Sequence, residues 1–150
     1  INSIQIPAPA AGKAQVVWFR PSGAGPIVGC SVKENNQKIS SLGDNRYFIM
    51  LAEPGTHTYT VSSEATDTLI MGLRANETVF ARCTIGMGFF IGHPHIEVSD
   101  ETTFRKVRNP KMVDAEDMGP AEGALRPEQV AAALQNSAPP QTITQPAAPQ

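Results

Sequence analysis

The stretch RYFIMLAEPGTHTYTVSS, residues 46–63, decides the fold class. Its first six residues, Arg46 to Leu51, carry the aromatic and apolar side chains of a strand. Pro54-Gly55 then turns the chain, because proline presets φ and glycine tolerates positive φ. Beyond the turn the residues alternate. His57, Tyr59 and Val61 share one face, and Thr56, Thr58, Thr60 and Ser62 share the other. Two such runs around a tight turn form a β-hairpin with one face for the core. His57 sits on the more apolar face, near the strand's start. A nucleophilic site there needs a Ser or Cys in reach and a third group to orient the imidazole. Ser62, Ser63, Glu64 and Asp67 are close in sequence, but none lies in a nucleophile-elbow context. His57 is therefore expected to be a hydrogen-bonded histidine at the rim of the core.

Reading outward, the same grammar repeats on both sides. AQVVWFR (14–20) stops at Pro21, and the Gly- and Pro-rich loop PSGAGP (21–26) leads to IVGCSVKE (27–34). NNQ (35–37) is turn chemistry before KISSL, and GDN (43–45) is another turn. After the hairpin come DTLIMGLR (67–74), a turn at ANE, TVFARCTIGM (78–87), GFFIG and HIEV. Strands recurring every eight to twelve residues, with turns between them, predict an all-β fold: a single antiparallel β-sandwich of about seven to nine short strands. No strand–helix alternation appears, which argues against a nucleotide-binding α/β fold.

The ends read differently. Residues 1–12, INSIQIPAPAAG, form an extended leader before a sandwich domain spanning 13–103. Residues 104–125 are charged, contain Pro and Gly, and lack a clear period, so they read as a linker. RPEQVAAALQN (126–136) predicts one short helix: Pro127 suits the first helical position, Glu128 the positive helix end, and the alanines favour helix. SAPPQTITQPAAPQ closes the 104–150 extension as a low-complexity tail. A helix of about ten residues needs a surface to pack on. Val130 and Leu134 on the helix, with Pro139 and Pro140 in the tail, are expected to grip a partner chain, since Pro-rich segments enter grooves at low entropic cost.

Charge excludes one class of function. Twelve Lys and Arg against fourteen Asp and Glu give a formal charge of -2, with no basic stripe for nucleic acid. Arg105, Lys106, Arg108 and Lys111 are the densest basic group and read as a solvated segment. No run approaches about 18 apolar residues, so no membrane-spanning helix is expected. Cys30 and Cys83 either pair in a disulfide across the sandwich, given an oxidising compartment, or are two small buried hydrophobes. His93 and His95 in GHPHIEV share a face if extended, and Glu97 continues it. That spacing can supply metal ligands, but exposed imidazoles beside a Gly92 turn explain the pattern as well, and no metal or other cofactor is expected. The glycines of CTIGMGFFIG are not a phosphate loop, because no Gly-Lys-Ser/Thr follows. They suit a bulge or tight hairpin that leaves Phe89 or Phe90 facing solvent as a docking point. The single tryptophan, Trp18, lies within a strand; a glycan-binding platform would require it exposed beside another ring.

Three ordered motifs carry a resemblance. GKAQVVWFRPS (12–22), RYFIMLAEPGTHTYTVSSE (46–64) and LRANETVFARCTIGMG (73–88) resemble signatures of a bacterial envelope domain family of unknown function, whose members are commonly predicted lipoproteins. Asn76 departs from that pattern where glycine is common, but asparagine tolerates positive φ. The resemblance implies a β-sandwich, a periplasmic and outer-membrane-associated location reached from a precursor with a signal peptide or lipobox, and no catalytic residues. Any membrane contact would then come through a lipid anchor or a partner. The expected role is a non-enzymatic structural or accessory subunit of an envelope complex, bound to protein subunits through sheet edges and the C-terminal extension. A glycan- or ligand-binding periplasmic module and a secreted or virion surface protein are the alternatives.

Overall fold

A computed structural model describes residues 1–23, 28–62, 66–87 and 92–137. The chain folds as an all-β sandwich. One sheet runs in the order β8-β7-β1-β4-β9 and the other β3-β2-β5-β6. The strands are β1 (Ala14–Arg20), β2 (Ser31–Glu34), β3 (Gln37–Ser41), β4 (Arg46–Ala52), β5 (Gly55–Ser62), β6 (Thr66–Leu73), β7 (Thr78–Met87), β8 (Gly92–Ser99) and β9 (Lys111–Met112). Antiparallel pairing dominates, but β1 lies parallel to β7 and β4 parallel to β9, so the five-stranded sheet is mixed. Trp18, Phe48 and Tyr59 centre the core between the sheets, with Trp18 stacked on Phe48 at 6.3 Å and Tyr59 edge-on to it at 5.4 Å.

The turns take the backbone that their residues favour. Asn35 and Asn36 both have positive φ, 52° and 63°, which a two-residue hairpin loop with the twist of its strands requires. Asn76 has φ 66° and accepts the Gly12 N–H through Oδ1 at 2.9 Å, so asparagine fills that turn and ties it to the leader. Of the run expected over 27–34, β2 begins at Ser31, with the Cys30 carbonyl accepting the Leu42 N–H at 2.7 Å ahead of it. Just before it, the carbonyl of Val28 is taken by the buried Arg20 guanidinium at 2.8 Å instead of by a ladder partner. HIEV belongs to a longer strand, and of GFFIG only Gly92 is described. Gly92–Ser99 is continuous and passes through Pro94, which is tolerated because β8 is an edge strand. Residues 88–91, including Phe89 and Phe90, lie outside the described residues.

A third layer covers the outer face of the five-stranded sheet. All seven residues of β1 are buried. Val16 and Trp18 face the sandwich core, while Val17 and Phe19 join Tyr47, Ile49 and Phe80 in a second cluster. Helix α1 (Glu101–Arg105) adds Phe104 to it, helix α2 (Pro127–Ser137) adds Val130 and Leu134, and the leader adds Ile4 and Ile6. The Phe104 ring meets Phe19, Tyr47 and Phe80 at 5.3, 5.7 and 5.5 Å.

Two expectations are corrected here. Residues 104–125 are not a free linker, because Phe104, Val107, Val113, Met118 and Ala124 are buried in the two clusters. Val130, 3 % exposed, and Leu134 do not wait for a partner chain: they dock on the protein's own sheet, where apolar area is already available to a marginal helix. The leader is anchored too. Asn2 donates through Nδ2 to the carbonyls of Phe104 at 2.8 Å and Val107 at 2.9 Å. Asn2→Ala removes both bonds and leaves the Val107 carbonyl without that donor beside a buried cluster, while the Phe104 carbonyl keeps the Val107 N–H, at an expected cost of about 1–3 kcal/mol in thermal or urea unfolding. A loss under a few tenths would show that these two bonds contribute nothing to the fold.

The extension also closes sheet edges. Gly119 N–H donates to the Ile39 carbonyl at 2.7 Å and Ala121 N–H to the Lys38 carbonyl at 2.8 Å, which covers β3. Leu51 N–H donates to Gly123 at 3.0 Å, and Leu125 N–H to Ile49 at 2.8 Å, continuing the edge of β4 beyond β9. Gly123 has φ 129°, and a Cβ there would press on the Leu51 carbonyl and Met50 Cγ, both at 3.4 Å. This strap, residues 119–125, thus spans both sheets on one side of the sandwich.

Candidate functional site

A cleft of ≈ 360 Å³ lies between the β4–β5 turn, the end of β2 and the strap, lined by Lys13, Glu34, Glu53, His57 and Glu122 over an apolar floor that includes Ile39 and Met50. Its geometry follows from strand register. Glu34 pairs with Tyr59 across β2 and β5, so its side chain shares the face of Tyr59 and His57. The Pro54-Gly55 turn brings the Glu53 carbonyl back over the same ring. His57 Nδ1 lies 2.6 Å from Glu34 Oε2, and Nε2 lies 2.7 Å from the Glu53 carbonyl oxygen. The imidazole stacks on Tyr59 at 5.8 Å. Lys13 pairs with the Glu53 carboxylate, which holds the turn to the start of β1.

Both ring nitrogens therefore face pure acceptors, and only the doubly protonated ring can donate to both. Burial pulls the His57 pKa down. The hydrogen bond to Glu34, the bond to the Glu53 carbonyl and the charges of both carboxylates outweigh it, leaving the pKa above 6.5. An imidazole committed in this way offers no lone pair to a substrate proton. His57 is the hydrogen-bonded rim histidine expected from the alternation along β5, although β4 and β5 lie in different sheets and do not pair as the expected hairpin. Sequence reasoning missed its partner, Glu34, because that contact depends on pairing between β2 and β5, which are not adjacent in the chain.

The second histidine group does not form a metal centre. His93, His95 and Glu97 do share the solvent side of β8, as alternation requires. His95 Nδ1, however, lies 2.8 Å from Asp67 Oδ2, and Glu97 Oε2 accepts from Arg82 Nε at 2.5 Å. The Arg82 hydrogen bond leads in holding the Glu97 carboxyl below its usual range. Asp67 also accepts the Ile96 N–H at 2.8 Å, so the group fastens β6 to β8 across the open side of the sandwich. His93 joins none of this, and among the described residues no cluster of three or more His, Cys, Asp or Glu side chains could hold a metal.

Cys30 and Cys83 are joined by a disulfide, both sulfurs buried, which links the approach to β2 with the middle of β7 and so crosses from one sheet to the other. Trp18 is fully buried and provides no glycan platform. Pro139 and Pro140 lie outside the described residues. Among the described residues no helix is long and apolar enough to cross a membrane. No protein family model, curated protein or solved structure matches the chain.

Proposed function

We propose that the protein is a non-catalytic structural or accessory subunit of a multiprotein complex in the bacterial cell envelope, held outside the reducing cytoplasm. The observation that carries this reading is the Cys30–Cys83 disulfide between the two sheets, since such bonds persist in oxidising compartments such as the periplasm. The three family-like motifs point the same way. The commitment of both His57 nitrogens to protein acceptors fits a role without acid–base chemistry.

The proposed docking surface is a sheet face rather than a sheet edge. The strap covers β3 and extends the edge of β4, while the edges of β6 and β8 meet each other through Asp67. Among the described residues nothing covers the outer face of β5 and β6. There Thr58 sits opposite Ile70 and Thr60 opposite Thr68, and Ile70 is 64 % exposed at the centre. An exposed apolar side chain ringed by short hydroxyls suits a protein partner.

Fractionating native cells without reductant tests the reading. The protein should appear with the envelope, oxidised, in an assembly larger than its own 16.0 kDa, and Ile70→Glu should shrink that assembly while leaving the fold intact. A reduced, monomeric protein in the cytoplasmic fraction overturns the proposal.

A further inference from the structure

We propose that His57 is a proton-operated latch on the β4–β5 turn: with both ring nitrogens protonated it fastens the Glu53 carbonyl and the Glu34 carboxylate at once, and loss of one proton releases the turn and widens the cleft beside it.

The argument is one of donors and acceptors. A carboxylate oxygen at 2.6 Å and a carbonyl oxygen at 2.7 Å both require a proton from the ring. A neutral ring has one N–H. It keeps the charged acceptor, Glu34, because a hydrogen bond to an ion is the stronger of the two. The bare Nε2 lone pair then faces the Glu53 carbonyl lone pairs, and the contact cannot persist at that distance. Glu53 belongs to a turn, which can move, whereas Glu34 sits on a paired strand, which cannot move alone.

The charged groups around the cleft set the direction. Glu34 on β2, Glu53 on the turn and Glu122 on the strap are negative, and among the described residues lining the cleft Lys13, ahead of β1, is the one cation. Lys13 is engaged with the Glu53 side chain, so an imidazolium is the remaining neutralising charge. Losing its proton leaves the cleft more negative as the turn withdraws.

The sign of the pH dependence follows. Unfolded, His57 titrates near 6.5, and the folded ring holds its proton to higher pH. The latch is therefore closed at pH well below the folded value and opens as pH rises through it.

Long-range proton–nitrogen NMR of histidine-labelled full-length protein reads this directly. Below the transition both ring nitrogens of His57 should be protonated, with a midpoint above about 6.5. Above it the neutral ring should carry its proton on Nδ1, and the amides of Glu53 and Gly55 should shift with the same midpoint. Glu34→Gln, which keeps the shape and removes the charge, should lower that midpoint. A midpoint at or below 6.5, a neutral ring protonated on Nε2, turn amides that ignore the transition, or a midpoint unchanged in Glu34→Gln would each overturn the latch.

Discussion

Replacing both cysteines, as Cys30→Ala with Cys83→Ala, should destabilise the protein by about 4 kcal/mol. The disulfide closes a loop with a sequence separation of 53, and the entropy it removes from the unfolded chain grows with that length. Local structure adds to the effect. The β2–β3 hairpin pairs with β5 at only two positions, Lys33 with Thr60 and Glu34 with Tyr59. The covalent link just before β2 is thus a main tie between that hairpin and the rest of the core. For a domain whose total stability is of the order of 5–15 kcal/mol, the expected loss is a large share. Urea unfolding should show the midpoint falling by roughly 2 M at a slope typical of small domains. A fall worth less than about 1 kcal/mol would mean that the bond adds little beyond the packing of two small side chains.

Phe104→Ala should cost about 3–5 kcal/mol, the range for removing a buried aromatic side chain. Its ring is fully buried and meets three other rings, so the cavity would open at the centre of the second cluster. The location of the damage distinguishes this variant from a general core mutation. Hydrogen exchange should quicken first in the leader and α2, which rest on the same cluster, while β5 and β6 keep their protection. Uniform acceleration across both sheets would show that the covering layer and the sandwich form one cooperative unit, against the arrangement inferred here.

The two strands at 46–63 were legible because alternation and a Pro-Gly turn are local signals, and each side chain of β5 takes the face its parity assigns. Their pairing as a hairpin is corrected, since β4 belongs to the five-stranded sheet and β5 to the other, and Pro54-Gly55 carries the chain from sheet to sheet. AQVVWFR was legible as a strand for a different reason. It does not alternate, and the structure explains why: both of its faces are buried, one by the second sheet and one by the helical layer. The existence of that layer was not legible. Its anchors are single residues in polar surroundings, Asn2 in the leader and Phe104 within a charged segment, and no periodicity marks either. A local signal did exist for α1, since Asp100 accepts the Thr103 N–H at 2.7 Å as a helix cap, and an Asp preceding a short polar run is the pattern such caps leave in sequence. The candidate site divides in the same way. His57 could be placed from its own strand, but its two acceptors come from β2 and from a turn carbonyl, and a carbonyl has no residue identity to read.

The leader and α2 lie together on the outside of the five-stranded sheet. That placement gives the molecule a front and a back. A tether, tag or fusion joined near Ile1 or directly to the end of α2 would be held on the helical side, and the threonine-lined surface of β5 and β6 would look the other way. An assembly built on this chain could therefore grip it from behind and still have its opposite face to present.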